Sequence, residues 1–153
     1  MNRYIFAPLL LLVLAPAAAM DHSVMPRSAK VALAVGATLD RNGRVWLAKV
    51  ENQQLWVSWS NDGGQRFSRP VAIAPEPEDI AANAENRPKI VVAQDGTVLL
   101  SWSQSLPKRF TGNIRFARST DGGRSFSAPI TLNDDGRIGS HSFDSLAIDG
   151  AGR

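Results

Sequence analysis

Arg87 stands in the run Asn86-Arg87-Pro88-Lys89-Ile90, with Glu85 two residues before it. Arginine presents a planar fork that can grip a carboxylate through two parallel hydrogen bonds. Lys108, Arg109 and Phe110 cluster further along, and His141 and Asp144 follow Asp134, Asp135 and Arg137. Paired carboxylates beside Arg and His are what sugar-acid chemistry requires. The same residue types also make up ordinary solvated loops, so a binding site and a charged surface are both open readings. The substrate-binding candidates are Glu85, Arg87, Lys108, Arg109, His141 and Asp144, and no residue is assigned to catalysis. Asp134-Asp135-Gly136 could also contribute to a cation site. Beyond that, neither a metal nor another cofactor is expected.

Residues of this kind need a frame to hold them, and a repeated turn supplies it. Ser60-Asn61-Asp62-Gly63-Gly64-Gln65-Arg66-Phe67 is followed by Ser68-Arg69-Pro70-Val71. Its twin is Ser119-Thr120-Asp121-Gly122-Gly123-Arg124-Ser125-Phe126, followed by Ser127-Ala128-Pro129-Ile130. The two aspartates are 59 positions apart. The carboxylate and the serine hydroxyl can accept backbone N–H groups of a tight hairpin, while glycine supplies positive φ. The phenylalanine is then expected to turn back into the core. One such turn is an ordinary hairpin. Two, matching also in the Phe and the later Pro, point to a repeat of roughly fifty residues, the signature of a propeller or solenoid.

Strand patterns surround each turn. In the first unit, residues 31–39 are mostly apolar, Asp40-Arg41-Asn42-Gly43 is a turn, and residues 44–50 and 55–59 read as strands. Residues 70–74 complete four short strands, the content of one propeller blade. The second unit repeats them at residues 88–92, 97–103, 113–118 and 130–132, with a turn at Gly96. A third begins at residues 143–148 and reaches its turn at Gly150. The predicted fold class is all-β, built of propeller blades of four antiparallel strands. The blade units lie at about residues 29–75, 86–133 and 143–153 onward, about two and a half blades. A closed propeller needs about four to eight, so the chain is expected to be the N-terminal piece of a longer protein. Trp46, Trp56, Trp59 and Trp102 lie within strands, where blade packing is favoured over sugar stacking.

The paired motif resembles the Asp box, or bacterial neuraminidase repeat, of the sialidase superfamily. The second copy fits that pattern at Ser119, Asp121, Gly123, Ser125 and Phe126; the first, at Ser60, Asp62, Gly64 and Phe67, has Arg66 where Thr or Ser is usual. The resemblance implies a sialidase-like propeller, six-bladed when complete, in which these boxes are structural. It implies an exported glycoside hydrolase acting on sialic acid or a related sugar acid, with a carbohydrate partner. It also implies a Tyr nucleophile paired with Glu, an Asp acid/base and three Arg on the substrate carboxylate. Asn86-Arg87-Pro88 is similar to the motif around one such Arg, without its Phe and with no residue between Arg and Pro. The only tyrosine is Tyr4, so the nucleophile is not assigned here. A non-catalytic Asp-box propeller that binds glycan or protein, and a purely structural array, are the alternatives.

Composition sets the remaining bounds. Of 153 residues, 44% are hydrophobic, enough for a sizeable core. Residues 1–19 combine Arg3, an apolar run and Ala15-Pro16-Ala17-Ala18-Ala19, which reads as a secretory signal peptide cut after Ala19. Residues 20–153 then form the propeller portion. Periplasmic and secreted destinations are both open; a retained N-terminal anchor is the alternative to cleavage, after which no membrane anchor is expected. Cleavage removes one Arg and no acid, taking the net charge from +3 to +2. So small an excess, without a basic block, carries no nucleic-acid signal. With no cysteine, disulfides, thiolate metal sites and Cys nucleophiles are excluded. The loops at residues 75–87, 104–112 and 133–142 are expected to gather at one end, opposite the repeated turns.

Overall fold

The computed structural model describes residues 34–83 and 85–150. The predicted signal peptide lies outside them. Among the described residues there are eight strands and no helix. The first sheet contains β1 (Val35–Leu39), β2 (Val45–Glu51), β3 (Gln54–Ser60) and β4 (Val71–Ala72). The second contains β5 (Lys89–Val92), β6 (Val98–Ser105), β7 (Gly112–Ser119) and β8 (Ile130–Thr131). In each sheet the spatial order follows the chain, and every neighbouring pair is antiparallel. These are four-stranded propeller-type blades, as the hydrophobic alternation predicts.

Alternation decides which face each side chain takes. Trp46, Ala48 and Val50 of β2, with Leu55 and Val57 of β3, are buried on one face of the first sheet. They form one core with Val98, Leu100 and Trp102 of β6, Ala117 of β7 and Ile90 of β5. Trp46 is 1% exposed and Trp102 2%, so these two tryptophans are packing residues. The first strands of the sheets, β1 and β5, are neighbours. Their approach depends on Gly36, where a Cβ would stand 2.0 Å from the Pro88 carbonyl oxygen.

The ends of the sheets differ in chemistry. At one end, Asp40 Oδ1 accepts Asn42 N at 2.8 Å and Arg44 N at 3.0 Å, closing the β1–β2 turn. Arg44 Nε donates to Asn61 Oδ1 at 2.7 Å, tying that turn to the first Ser-x-Asp-Gly-Gly turn. At the other end, β2 and β3 join through Asn52 and Gln53, both at positive φ, the backbone of a two-residue primed hairpin turn. Loops 73–88 and 106–111 join strands at that same end, and segment 132–142 leaves β8 there.

Two expectations need correction. Residues 143–148 form no strand. A strand needs a partner for its backbone groups, and no ladder partner for this stretch lies among the described residues. Phe67 does not enter the core; it is 41% exposed, whereas Phe126 packs against the core cluster. The reason is position. The second turn leans on the first sheet, where a Cβ on Gly123 would meet Trp46 Cζ3 at 2.6 Å. Among the described residues the first turn has no such neighbour; the nearest atom to a Cβ on Gly64 is Phe67's own ring, at 3.9 Å.

Candidate functional site

The two Ser-x-Asp-Gly-Gly turns are built alike. Ser60 Oγ donates to Asp62 Oδ1 at 2.6 Å and accepts Gly64 N at 2.9 Å. Ser119 Oγ donates to Asp121 Oδ1 at 2.7 Å and accepts Gly123 N at 2.8 Å. Asp121 Oδ1 also accepts Arg124 N and Ser125 N, and its Oδ2 accepts Ser125 Oγ at 2.5 Å. The Ser125 hydroxyl and amide, with Ser119, hold the Asp121 carboxyl far below the usual carboxylate range. Asp62 is also lowered, first by Ser60 and then by the Arg66 amide. Arg66 has no hydroxyl to match Ser125, so the first turn lacks that second carboxylate oxygen bond. All of these bonds stay inside the turns, at the end opposite the long loops. Their groups hold backbone and leave little for a ligand.

The inner hollow lies at the other end. It is a hollow of about 490 Å³ lined by β1 residues Val35, Gly36 and Ala37, by Glu85, Arg87 and Lys89, and by Leu146. Arg87 and Glu85 are both exposed there. Lys89 was not singled out from the sequence, although the signal was available: alternation puts residues 87 and 89 on one side of an extended segment. Its ammonium donates to the Arg87 carbonyl at 2.5 Å. Two cations beside one carboxylate make the hollow suited to an anionic group.

The loop bearing Glu85 and Arg87 is anchored at several points. Glu78 Oε1 meets Arg115 Nη2 at 2.9 Å, and Glu78 Oε2 accepts Trp102 Nε1 at 3.1 Å. The two charged side chains are only 14% and 17% exposed. Arg115 also donates to Thr131 Oγ1 at 2.8 Å and to the Pro129 carbonyl at 3.4 Å. Residues 78–81 then run beside the end of β6: Ser105 N donates to Asp79 O and Ala81 N to Ser103 O. Glu78 is therefore committed to holding the loop. Asn83 Oδ1 accepts the amides of Glu85 and Asn86, and Asn86 Oδ1 accepts Phe143 N at 3.1 Å.

The other candidates are not brought into the hollow. Lys108 and Arg109 sit near the tip of the β6–β7 loop, with the Arg109 guanidinium 4.5 Å from the centre of the Phe110 ring. Phe110 is 76% exposed. His141 Nδ1 lies 3.0 Å from Gly112 O and Nε2 lies 3.2 Å from Asp135 Oδ2. Both partners are acceptors, so the ring satisfies both only when it carries two N–H groups. Asp135 is lowered by the Arg137 amide and then by His141. This imidazole clasps residues 135–141 onto β7. Asp144 accepts a short hydrogen bond from Ser101 Oγ on β6, and its other oxygen is buried with no partner among the described residues.

No protein-family model matches the chain, and no curated protein does. Solved structures with a similar backbone include NanB with optactamide, at 22% identity and TM-score 0.49, covering 69% of this chain and 14% of that one. The NanB sialidase from Streptococcus pneumoniae, in complex with a chlorobenzyl-ammonio-ethanesulfonate, gives 21% and 0.48, covering 67% and 14%. A protein of unknown function from Dyadobacter fermentans gives 21% and 0.43, covering 62% and 26%. The chain thus spans 14% of the length of the NanB chains.

Proposed function

We propose that this chain is the N-terminal part of an exported, sialidase-like propeller that takes sialic acid or a related sugar acid in its inner hollow. The observation that carries the reading is the placement of Arg87. It stands two residues before β5, in one hollow with Glu85 and Lys89. The sequence around it is similar to the arginine motif of sialidases, and the two Ser-x-Asp-Gly-Gly turns share a serine hydroxyl that bonds both the aspartate and the second glycine amide. Arg87 and Lys89 would meet the sugar carboxylate, and Glu85 would meet hydroxyls. Hydrolysis belongs to the longer protein in this reading, because the sole tyrosine is Tyr4. That same fact favours, as a second reading, a glycan-binding propeller without catalysis. Cleavage after Ala19 belongs to the export proposal; the intact mass of exported protein is expected to place its first residue at Met20, and an intact Met1 would refute it.

Arg87→Ala is expected to weaken binding of sialic acid by about 1.5–3 kcal/mol, the range for hydrogen bonds to charged groups. The melting temperature should barely change, because exposed charges contribute little to stability. Calorimetric titration and thermal melts of the full-length protein check both. Unfolding of the variant with binding per folded molecule intact would make Arg87 structural. If the wild type binds no acidic sugar, the sugar-acid reading fails.

A further inference from the structure

The same connection is made differently in the two sheets. β2 and β3 join through two residues, Asn52 and Gln53, whereas β6 and β7 join through six, 106–111. The longer link is not slack. Leu106 N donates to Thr111 O at 3.0 Å, and the Lys108 carbonyl accepts both Thr111 N at 3.1 Å and Thr111 Oγ1 at 2.6 Å. Pro107 fixes a further φ inside that brace. A hairpin that two residues could close therefore carries a rigid knob, and closing the sheet does not account for it.

The knob displays a ring and two cations. Phe110 has φ of +60°, a conformation that glycine takes freely and that a Cβ disfavours. Its ring is nonetheless 76% exposed, so burial does not offset the strain. The Arg109 guanidinium lies 4.5 Å from the ring centre, which holds that cation beside the exposed phenyl. Lys108 is exposed too, and residues 104–112 include no acid. Asp79 is exposed at the base of the loop, where its carbonyl accepts Ser105 N at 2.6 Å, and not at the tip.

Its place relative to the inner hollow follows from strand register. Lys89 of the hollow faces Ser101 across β5 and β6. From there β6 runs toward the end at which Arg87 precedes β5, and it continues four residues further, to Ser105, before the knob begins. At a rise of about 3.3 Å per residue, the knob starts about 13 Å past Lys89. A single sugar held at Arg87 and Lys89 does not reach so far, whereas the next units of a chain do.

We propose that the knob is an outer subsite for a linear oligomer of an anionic sugar. Phe110 stacks on a sugar ring, and Lys108 and Arg109 meet a carboxylate beyond the one held in the inner hollow. The chemistry suits both contacts. The apolar C–H face of a sugar ring buries against an exposed phenyl. A lysine and an arginine held together without an acid match the repeated carboxylates of such a chain. The inference rests on the inner-hollow reading and extends it from a single sugar to a chain.

Calorimetric titration of the full-length exported protein with sialic acid and with its linear tetramer tests the subsite. The tetramer is expected to bind at least about tenfold tighter than the single sugar, the weak end for one added charge-assisted hydrogen bond. Phe110→Ala, and Lys108→Gln combined with Arg109→Gln, should each lower that ratio several-fold. Melting temperatures should hold, because these side chains are exposed. Equal affinity of the wild type for both sugars overturns the subsite and leaves the inner hollow standing. A tetramer advantage that survives both variants also overturns it, since the statistics of equivalent units would then explain the gain. If neither sugar binds, the inner-hollow reading fails and the subsite falls with it.

Discussion

Gly123→Val is expected to cost about 2–5 kcal/mol of stability, the largest effect of any single change to the Ser-x-Asp-Gly-Gly turns. Two penalties add. Gly123 has φ of +81°, and left-handed backbone costs a residue with a Cβ about 1–2 kcal/mol. The new Cβ would also sit 2.6 Å from Trp46 Cζ3, and overpacking of this kind costs about 1–3 kcal/mol. Trp46 cannot simply withdraw. Its ring centre lies 5.4 Å from that of Trp59, Arg44 lies 5.5 Å from it on the ring face, and its indole N–H donates to Asp40 at 3.2 Å. Gly64→Val is the control: φ is +91°, but the only nearby atom is 3.9 Å away. It should pay only the backbone term of about 1–2 kcal/mol. Urea unfolding followed by tryptophan fluorescence measures both. Equal losses would show that the contact between Gly123 and Trp46 is not what requires glycine.

Glu78→Ala is expected to cost about 3 kcal/mol, the lower end for breaking a buried ion pair, because its members keep some exposure. Two donors lose their acceptor at once: Arg115 Nη2 and Trp102 Nε1. The Nε of Arg115 is already buried without a partner, and the contacts to Thr131 and Pro129 do not replace a carboxylate. Glu78→Gln keeps the shape and can still accept a bond, so it should cost less, about 1–2 kcal/mol. Amide exchange at Ala81 and Ser105 should accelerate in the alanine variant, because Glu78 anchors the strip that pairs with β6. A loss below about 1 kcal/mol for Glu78→Ala would mean that water replaces the carboxylate without penalty.

Much of the frame was legible in the sequence, and the reason is that its causes are local. Asp40, Asn42 and Gly43 close their own turn, and Ser60 and Ser119 bond to groups within four residues. Alternation along β2 and β6 groups Trp46 and Trp102 with the other apolar residues of their strands, whereas Trp56, equally within a strand, lies on the face away from the core and not in it as expected. The candidate site was less legible. Of the six candidates, Glu85 and Arg87 share the inner hollow; Lys108, Arg109, His141 and Asp144 line other places. Loop charges show their type in sequence but not their partner, and His141 spends its ring on Gly112 and Asp135.

The sequence by itself determined the all-β class, the two sets of four strands and the chemistry of the turns, because hydrogen bonds over two to four residues and a period of two need no distant neighbour. Only the tertiary structure decided that Phe126 packs while its twin Phe67 is exposed, because that depends on whether a sheet stands beside the turn. It also decided that Glu78 is a clamp and that Lys89 joins Arg87. Those outcomes depend on where Arg115 and Trp102, at least 24 residues away from Glu78, are brought by the pairing of β6 with β7.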